Sequence, residues 1–284
     1  PICLLYSTLL LFGEQLHKAE EFLFAAEEMI QGNAELSNRY REHVLATRAI
    51  HEAQLALLDQ DLEKVAYRAQ EALEHLPADW QTFRQVTRMM LADASDWKGD
   101  AITAGRLYSE LLEKNPLQQN PYMFFLVSIR NALLNLACGR LHTVYNYCQQ
   151  CSRQISELKP RWPQFEWVLN LILIAILTEW NHLEELHNLL ESALEKLKRA
   201  ERSSWDILYL NVVRGFLAFN DIASAKYILK LLEDGVRTSQ LPGPYLNDIL
   251  AWKIHVCLRE GNTLLAKEAA EELKHLDFTK PAYL

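Results

Sequence analysis

A short signature recurs seven times along the chain and constrains the fold more than any other feature. It consists of a turn residue, a large apolar residue two positions on, and a small or apolar residue five positions on. The turn residues are Glu14, Gln60, Gly99, Gly139, Asn181, Asn220 and Gly261, followed at +5 by Ala19, Val65, Ala104, Val144, Leu186, Ala225 and Ala266. At +2 stand Leu16, Leu62, Leu141, Leu183 and Ile222, with Ala101 and Thr263 as weaker matches. A period of about 40 residues marks an architecture built from one repeated supersecondary unit. The signature reads as a tight corner between two helices. Gly and Asn enter the left-handed backbone region cheaply and so end a helix. The +2 and +5 residues then share a face of the next helix, where a small side chain lets helices approach closely.

Between corners the apolar spacing is helical. Arg39 to Leu58 carries Val44, Leu45, Ala49, Leu55 and Leu58 at mixed three and four spacing, and Leu62 to Leu76 carries Val65, Ala69, Ala72 and Leu73. Pro77 stops that second helix, and prolines at 116, 121, 160, 163, 242 and 244 punctuate the seams between units. Runs with period-two alternation are missing, so strands are not expected. The expectation is an all-α solenoid of about seven helical hairpins, about fourteen helices, stacked as a single repeat domain over residues 1–284 with its groove lined by the first helix of each unit.

Composition narrows the function classes. A formal net charge of −8 argues against a phosphate-neutralising surface, so nucleic acid is not expected as a ligand of this chain. Val168 to Leu177 is interrupted by Asn170 and falls short of the roughly 18 apolar residues that cross a bilayer, so no membrane partner is expected. Five cysteines, an odd number, point to a reducing, cytoplasmic setting. The chain starts at Pro1 without a charged-then-apolar leader and reads as a processed or excised fragment.

The corner pattern is similar to the tetratricopeptide repeat (TPR), with longer units, which implies a right-handed solenoid. More specific strings are Pro1-Ile2-Cys3-Leu4-Leu5 followed by Gly13 to Leu23, the corner Gly139-Arg140-Leu141-His142, and Glu179-Trp180-Asn181-His182-Leu183. These resemble the repeat region of MalT-type regulators, ATP-dependent transcriptional activators with a LuxR-type DNA-binding end. The resemblance implies a sensor region cut from a longer regulator. Its NTPase and helix-turn-helix modules lie outside this sequence and are partners of the array, together with a small-molecule inducer or a protein partner, and homo-oligomers fit the family. Asp277 to Leu284 resembles the approach to a further helical pair. Glu14 and Gln60 depart from the usual turn glycine, and Leu186 from the usual small residue, so packing at those three corners is expected to be looser.

No P-loop, dinucleotide-binding turn or nucleophile elbow occurs, and no nucleophile, base and orienter can be assembled, so neither an enzyme nor a cofactor is expected. Cys148 and Cys151 form a CxxC inside a helix and read as buried thiols rather than a zinc or redox pair. Glu184 with His187 and Glu272 with His275 have the spacing of di-iron ligands, but the two pairs sit two repeats apart and read as solvated or packed, so no metal is expected. Lys196, Lys198, Arg199 and Arg202, interleaved with Glu195 and Glu201, read as cations complementing a helix C-terminus. The seven tryptophans read as wedges between helices.

The polar anomalies lie on first helices. Ser128, Asn131 and Asn135 share one face of the apolar segment Tyr122 to Cys138, and Asn170 occupies the Ser128 position of the next unit. Arg214 and His255 align with each other at a position that TPR arrays turn toward the groove. These six either orient a ligand in an apolar wall or are satisfied by neighbouring helices and buried waters. The alternative to a sensor is a general protein-interaction scaffold or adaptor.

Overall fold

In the computed structural model the described residues are 16–32, 38–59, 61–114, 120–157, 163–199, 204–238 and 245–275. Among them are thirteen α-helices, one short 3-10 helix and no strand. The helices are α1 (Leu16–Gly32), α2 (Asn38–Leu58), α3 (Leu62–His75), α4 (Gln81–Trp97), α5 (Ala101–Lys114), α6 (Pro121–Ala137) and α7 (Leu141–Glu157). They continue with α8 (Pro163–Trp180), α9 (Leu183–Arg199), the 3-10 turn Ser204–Leu208 running into α10 (Tyr209–Ala218), α11 (Ile222–Arg237), α12 (Tyr245–Glu260) and α13 (Thr263–Lys274). The all-α expectation holds. The corner residues Glu14 and Gln60, the Pro1–Leu5 segment, Trp162, Arg202, the prolines at 116, 160, 242 and 244, and Asp277–Leu284 lie outside the described residues.

The five described corners share one backbone device. Gly99, Gly139 and Gly261 have φ of 82°, 72° and 81°, and Asn181 and Asn220 both have φ of 56°. Each corner residue donates its amide back into the preceding helix, and the residue after it reaches one carbonyl further. Asp100 N–H meets Ser95 O at 2.9 Å, Arg140 meets Asn135 at 2.9 Å, His182 meets Leu177 at 3.0 Å, Asp221 meets Phe216 at 2.9 Å and Asn262 meets Cys257 at 2.8 Å. That closure satisfies the orphan carbonyls at a helix C-terminus. The same post-corner residue often caps the next helix: Asp61, Asp100, Asp221 and Asn262 accept from the amides of Lys64, Thr103, Ser224 and Leu265 at 3.0–3.2 Å. One residue therefore ends one helix and starts the next.

All seven +5 residues are buried, from Ala19 at 0% to Ala266 at 4% exposed, Leu186 included. The described +2 side chains differ from the expectation. Leu62, Ala101, Leu141 and Ile222 are half-buried, and Leu183 and Thr263 are exposed. The reason is position: +2 is the first residue of the helix, at its open end, and only a full turn later does the face press against its neighbour.

The chain divides into two compact units, residues 1–134 and 135–284. In the first, α1 packs on α2, α2 on α3, α3 on α4 and α4 on α5, while α2 also meets α4. Its cores are small-residue seams such as Ala53, Ala56, Val65, Ala69, Met90 and Ala94, and a larger cluster in which Tyr108 and Leu111 of α5 meet Met123, Val127 and Leu134. In the second unit α7 packs on α8, α8 on α9, α9 on α10, α10 on α11, α11 on α12 and α12 on α13. First helices also meet directly there, α8 with α10 and α10 with α12. Covering on both sides explains why Leu171 to Leu177 of α8 are buried without a break.

Candidate functional site

Of the six polar residues singled out, Ser128 and Asn131 lie in the first unit and Asn135, Asn170, Arg214 and His255 in the second. Ser128 is fully buried, and its hydroxyl has no hydrogen-bond partner among the described residues. Asn131, one turn on, is half-buried. Asn135 Oδ1 accepts from Arg140 Nη1 at 3.0 Å, tying the helix end to its own corner. Asn170, Arg214 and His255 stand on α8, α10 and α12, successive first helices in contact in that order. Asn170 is half-buried. Arg214 donates from Nη2 to Glu179 Oε1 of α8, with the two side chains 41% and 40% exposed. His255 is exposed and stacks on Trp252, with centroids 5.5 Å apart and planes at 10°. The guanidinium is thus shared between a helix-to-helix tie and solvent.

Two polar features escaped the sequence reading. Asn211, 7% exposed, donates from Nδ2 to Leu171 O across α10 and α8 at 3.3 Å, satisfying a buried amide through a backbone carbonyl. In the first unit Tyr108 of α5 donates its hydroxyl to Asp93 Oδ1 of α4 at 2.6 Å, and Arg130 Nε of α6 stands 3.8 Å from the same oxygen. Burial, reinforced by the Asp93 carboxylate and opposed by Arg130, pushes the Asp96 carboxyl up to about 6. Burial likewise raises the Tyr108 phenol far above its ordinary range, so it is a permanent donor. This network ties three helices through an interior carboxylate; its phenol is locked and cannot serve as an acid or base at neutral pH.

The remaining motifs fall where packing puts them. Cys148 and Cys151 are both 0% exposed, and burial raises the Cys148 thiol to about 12, which leaves it protonated. Cys138, Cys148, Cys151 and Cys257 are free thiols. Glu184 and His187 are exposed, His187 stacking edge-on with Phe219 at 5.7 Å, and Glu272 is paired with Arg237 at 2.6 Å. Among the described residues no three His, Cys, Asp or Glu side chains come together. Lys196 lies over the Trp167 ring at 4.5 Å and Lys198 pairs with Glu195 at 3.0 Å. Trp80 packs between His43 and Phe83, at 4.2 and 4.8 Å, as a wedge.

Paired helices joined by left-handed corners, packed hairpin against hairpin within each of the two compact units, define a helical-repeat protein of the TPR class. The chain belongs to the family of MalT-like TPR regions, whose model matches residues 42–283. Among solved structures, that of a Rap protein complexed with competence and sporulation factor is similar to it, with a TM-score of 0.69 at 16% identity over 96% of this chain and 74% of that one. No curated protein sequence matches it. No described helix is long and apolar enough to cross a membrane.

Proposed function

We propose that this chain is the sensor array of a MalT-type, LuxR-family transcriptional regulator, working as one repeat domain that binds an effector and passes the event to NTPase and DNA-binding modules. The observation that carries this reading is the MalT-like family match across residues 42–283. The effector surface is assigned to the second unit, where Asn170, Arg214 and His255 stand on three consecutive first helices. There a carboxylate or other anionic group of the effector competes with Glu179 for the exposed part of the Arg214 guanidinium. Repeat arrays of this type act by binding rather than catalysis, and a scaffold for a protein partner is the second reading. It draws support from the similar Rap protein, solved complexed with competence and sporulation factor.

The test is thermal unfolding against sugars, amino acids, aromatic acids and nucleotides, repeated with Arg214→Ala and Asn135→Leu. A compound at about 100 times its dissociation constant adds roughly 2.7 kcal/mol of stability. One compound class that stabilises the chain but not Arg214→Ala supports the sensor reading. Should no compound act, the scaffold reading takes its place.

A further inference from the structure

A contact repeats along the second unit. The residue six positions after each corner meets the residue just before the next corner. Tyr145 meets Trp180 at 5.1 Å between ring centroids, His187 meets Phe219 at 5.7 Å, and Lys226 Nζ meets Glu260 at 2.8 Å. Each contact bridges the second helix of one hairpin to the first helix of the next. The following member of the series is Lys267, six residues after Gly261; it is exposed and has no partner among the described residues. Its corner is built like the others, with φ of 81° at Gly261.

The apolar face beside it is equally unfinished. Three residues before the corner, Leu217 of α10 is 4% exposed, while Leu258 of α12 is 56% exposed. Ten before the corner, Leu171 and Leu210 are 0% and 1% exposed, whereas Ala251 is exposed. Seven before, Ile174 and Val213 are both at 0%, whereas Ile254 is half-buried. On the second helices, Leu229 and Leu232 are buried, and their counterparts Ala270 and Leu273 are half-buried. A hairpin that closes an array presents a polar outer face. This one presents the apolar residues that stack everywhere else in the unit.

We propose that the face of α12 and α13 turned away from α10 and α11 is a stacking surface for one more helical hairpin of the same repeat type, carried on the same polypeptide, whose first helix ends in a carboxylate set against Lys267. The occupant follows from continuity, since every stacking contact of this series joins hairpins consecutive in one chain. Its charge follows from Lys226, the same position one repeat earlier, which takes both oxygens of Glu260.

The test fuses a second copy of residues 238–275 behind Leu284, so that the copied Glu260 is offered to Lys267. Leu258→Cys, in a background without Cys3 and Cys138, reports on the face through its thiol-labelling rate, and Leu217→Cys reports that the existing stack is intact. In the fused chain Leu258→Cys should label roughly tenfold more slowly or less, as befits a side chain reached only by local opening. Lys267→Glu should restore part of the rate, and the reversed pair, Lys267→Glu with the copied Glu260→Lys, should slow it again. Equal labelling with and without the copy, while Leu217→Cys stays protected, overturns the proposal. So does protection of Leu258→Cys in the unfused chain that grows with protein concentration, because the occupant is then a second molecule.

Discussion

Alanine at two of the glycines inside helices should move stability in opposite directions. Gly105 of α5 and Gly215 of α10 both sit in ordinary helical backbone, so neither needs glycine for its conformation. A methyl group at Gly105 meets Leu134 Cδ2 at 3.6 Å, an ordinary contact. At Gly215 it meets Leu190 Cδ2, Cδ1 and Cγ at 2.7, 3.2 and 3.4 Å. Alanine is favoured over glycine in a helix interior by about 0.8–1.0 kcal/mol, so Gly105→Ala should stabilise by about 0.5–1 kcal/mol. The same gain applies at Gly215, but Leu190 is 0% exposed and cannot swing its end into solvent. Overpacking a core costs about 1–3 kcal/mol, leaving Gly215→Ala destabilised by about 0.5–2 kcal/mol. Equilibrium urea unfolding measures both, as midpoint shifts at constant slope. Leu190→Ala alone should lose about 2–5 kcal/mol. Combined with Gly215→Ala it should lose clearly less than the sum, because the added methyl refills the space. Stabilisation of equal size at both glycines, or strict additivity with Leu190→Ala, would falsify the packing argument.

Three further outcomes are expected. Asn220, with φ of 56°, should accept glycine with little change, whereas Asn220→Ala should lose about 1 kcal/mol, read by thermal or urea unfolding. Arg84 Nη1 donates to the α3-terminal carbonyls of Leu73 and Leu76 at 2.9 and 2.6 Å, so Arg84→Ala should cost about 1.5–3 kcal/mol; Arg84→Met costing as much would confirm that the bonds, not the alkyl stem, are responsible. Asp96, raised to about 6 in the folded state mainly by burial, binds its proton more tightly folded than unfolded. Its contribution therefore favours folding below the ordinary carboxylate pKa and is lost as pH rises through 6. Asp96→Asn should accordingly gain on the parent between pH 4 and 7, and a stability difference that is flat over that window would contradict the assignment.

How much of this was legible in the sequence depends on whether one residue or several make the feature. Gly99, Gly139, Asn181, Asn220 and Gly261 were readable because a left-handed corner admits few residue types, and each imposes its backbone by itself. The capping Asp61, Asp100, Asp221 and Asn262, one position further on, went unread, although short polar side chains opening apolar-periodic helices are a signal of helix starts. The Asp93, Tyr108 and Arg130 network was not readable, because its members come from three helices and only the packing angle brings them together. The six polar candidates fall between these cases. Periodicity identified Arg214 as a first-helix polar residue but could not reveal Glu179 as its partner, while Asn211, three residues earlier, ties α10 to α8 without having stood out.

That partner limits how an effector could act at Arg214. A half-exposed ion pair such as Arg214 with Glu179 is worth about 0.2–1 kcal/mol, so breaking it alone shifts a two-state balance by a factor of about five at most. Moving a population from one per cent to ninety-nine takes about 5.5 kcal/mol of differential affinity. An anion that merely replaces Glu179 is therefore a weak switch. The remainder has to come from contacts on more than one helix, and α8, α10 and α12 supply them in series because each touches the next. On the proposed reading, an effector bridging Arg214 and His255 works by favouring one spacing of α10 and α12 over another. His255→Ala should then weaken the response to effector more than Glu179→Gln does, since the first removes a bridging contact and the second only an intramolecular competitor. The reverse order, measured as ligand-induced shifts in thermal unfolding, would show that release of Glu179 dominates the response.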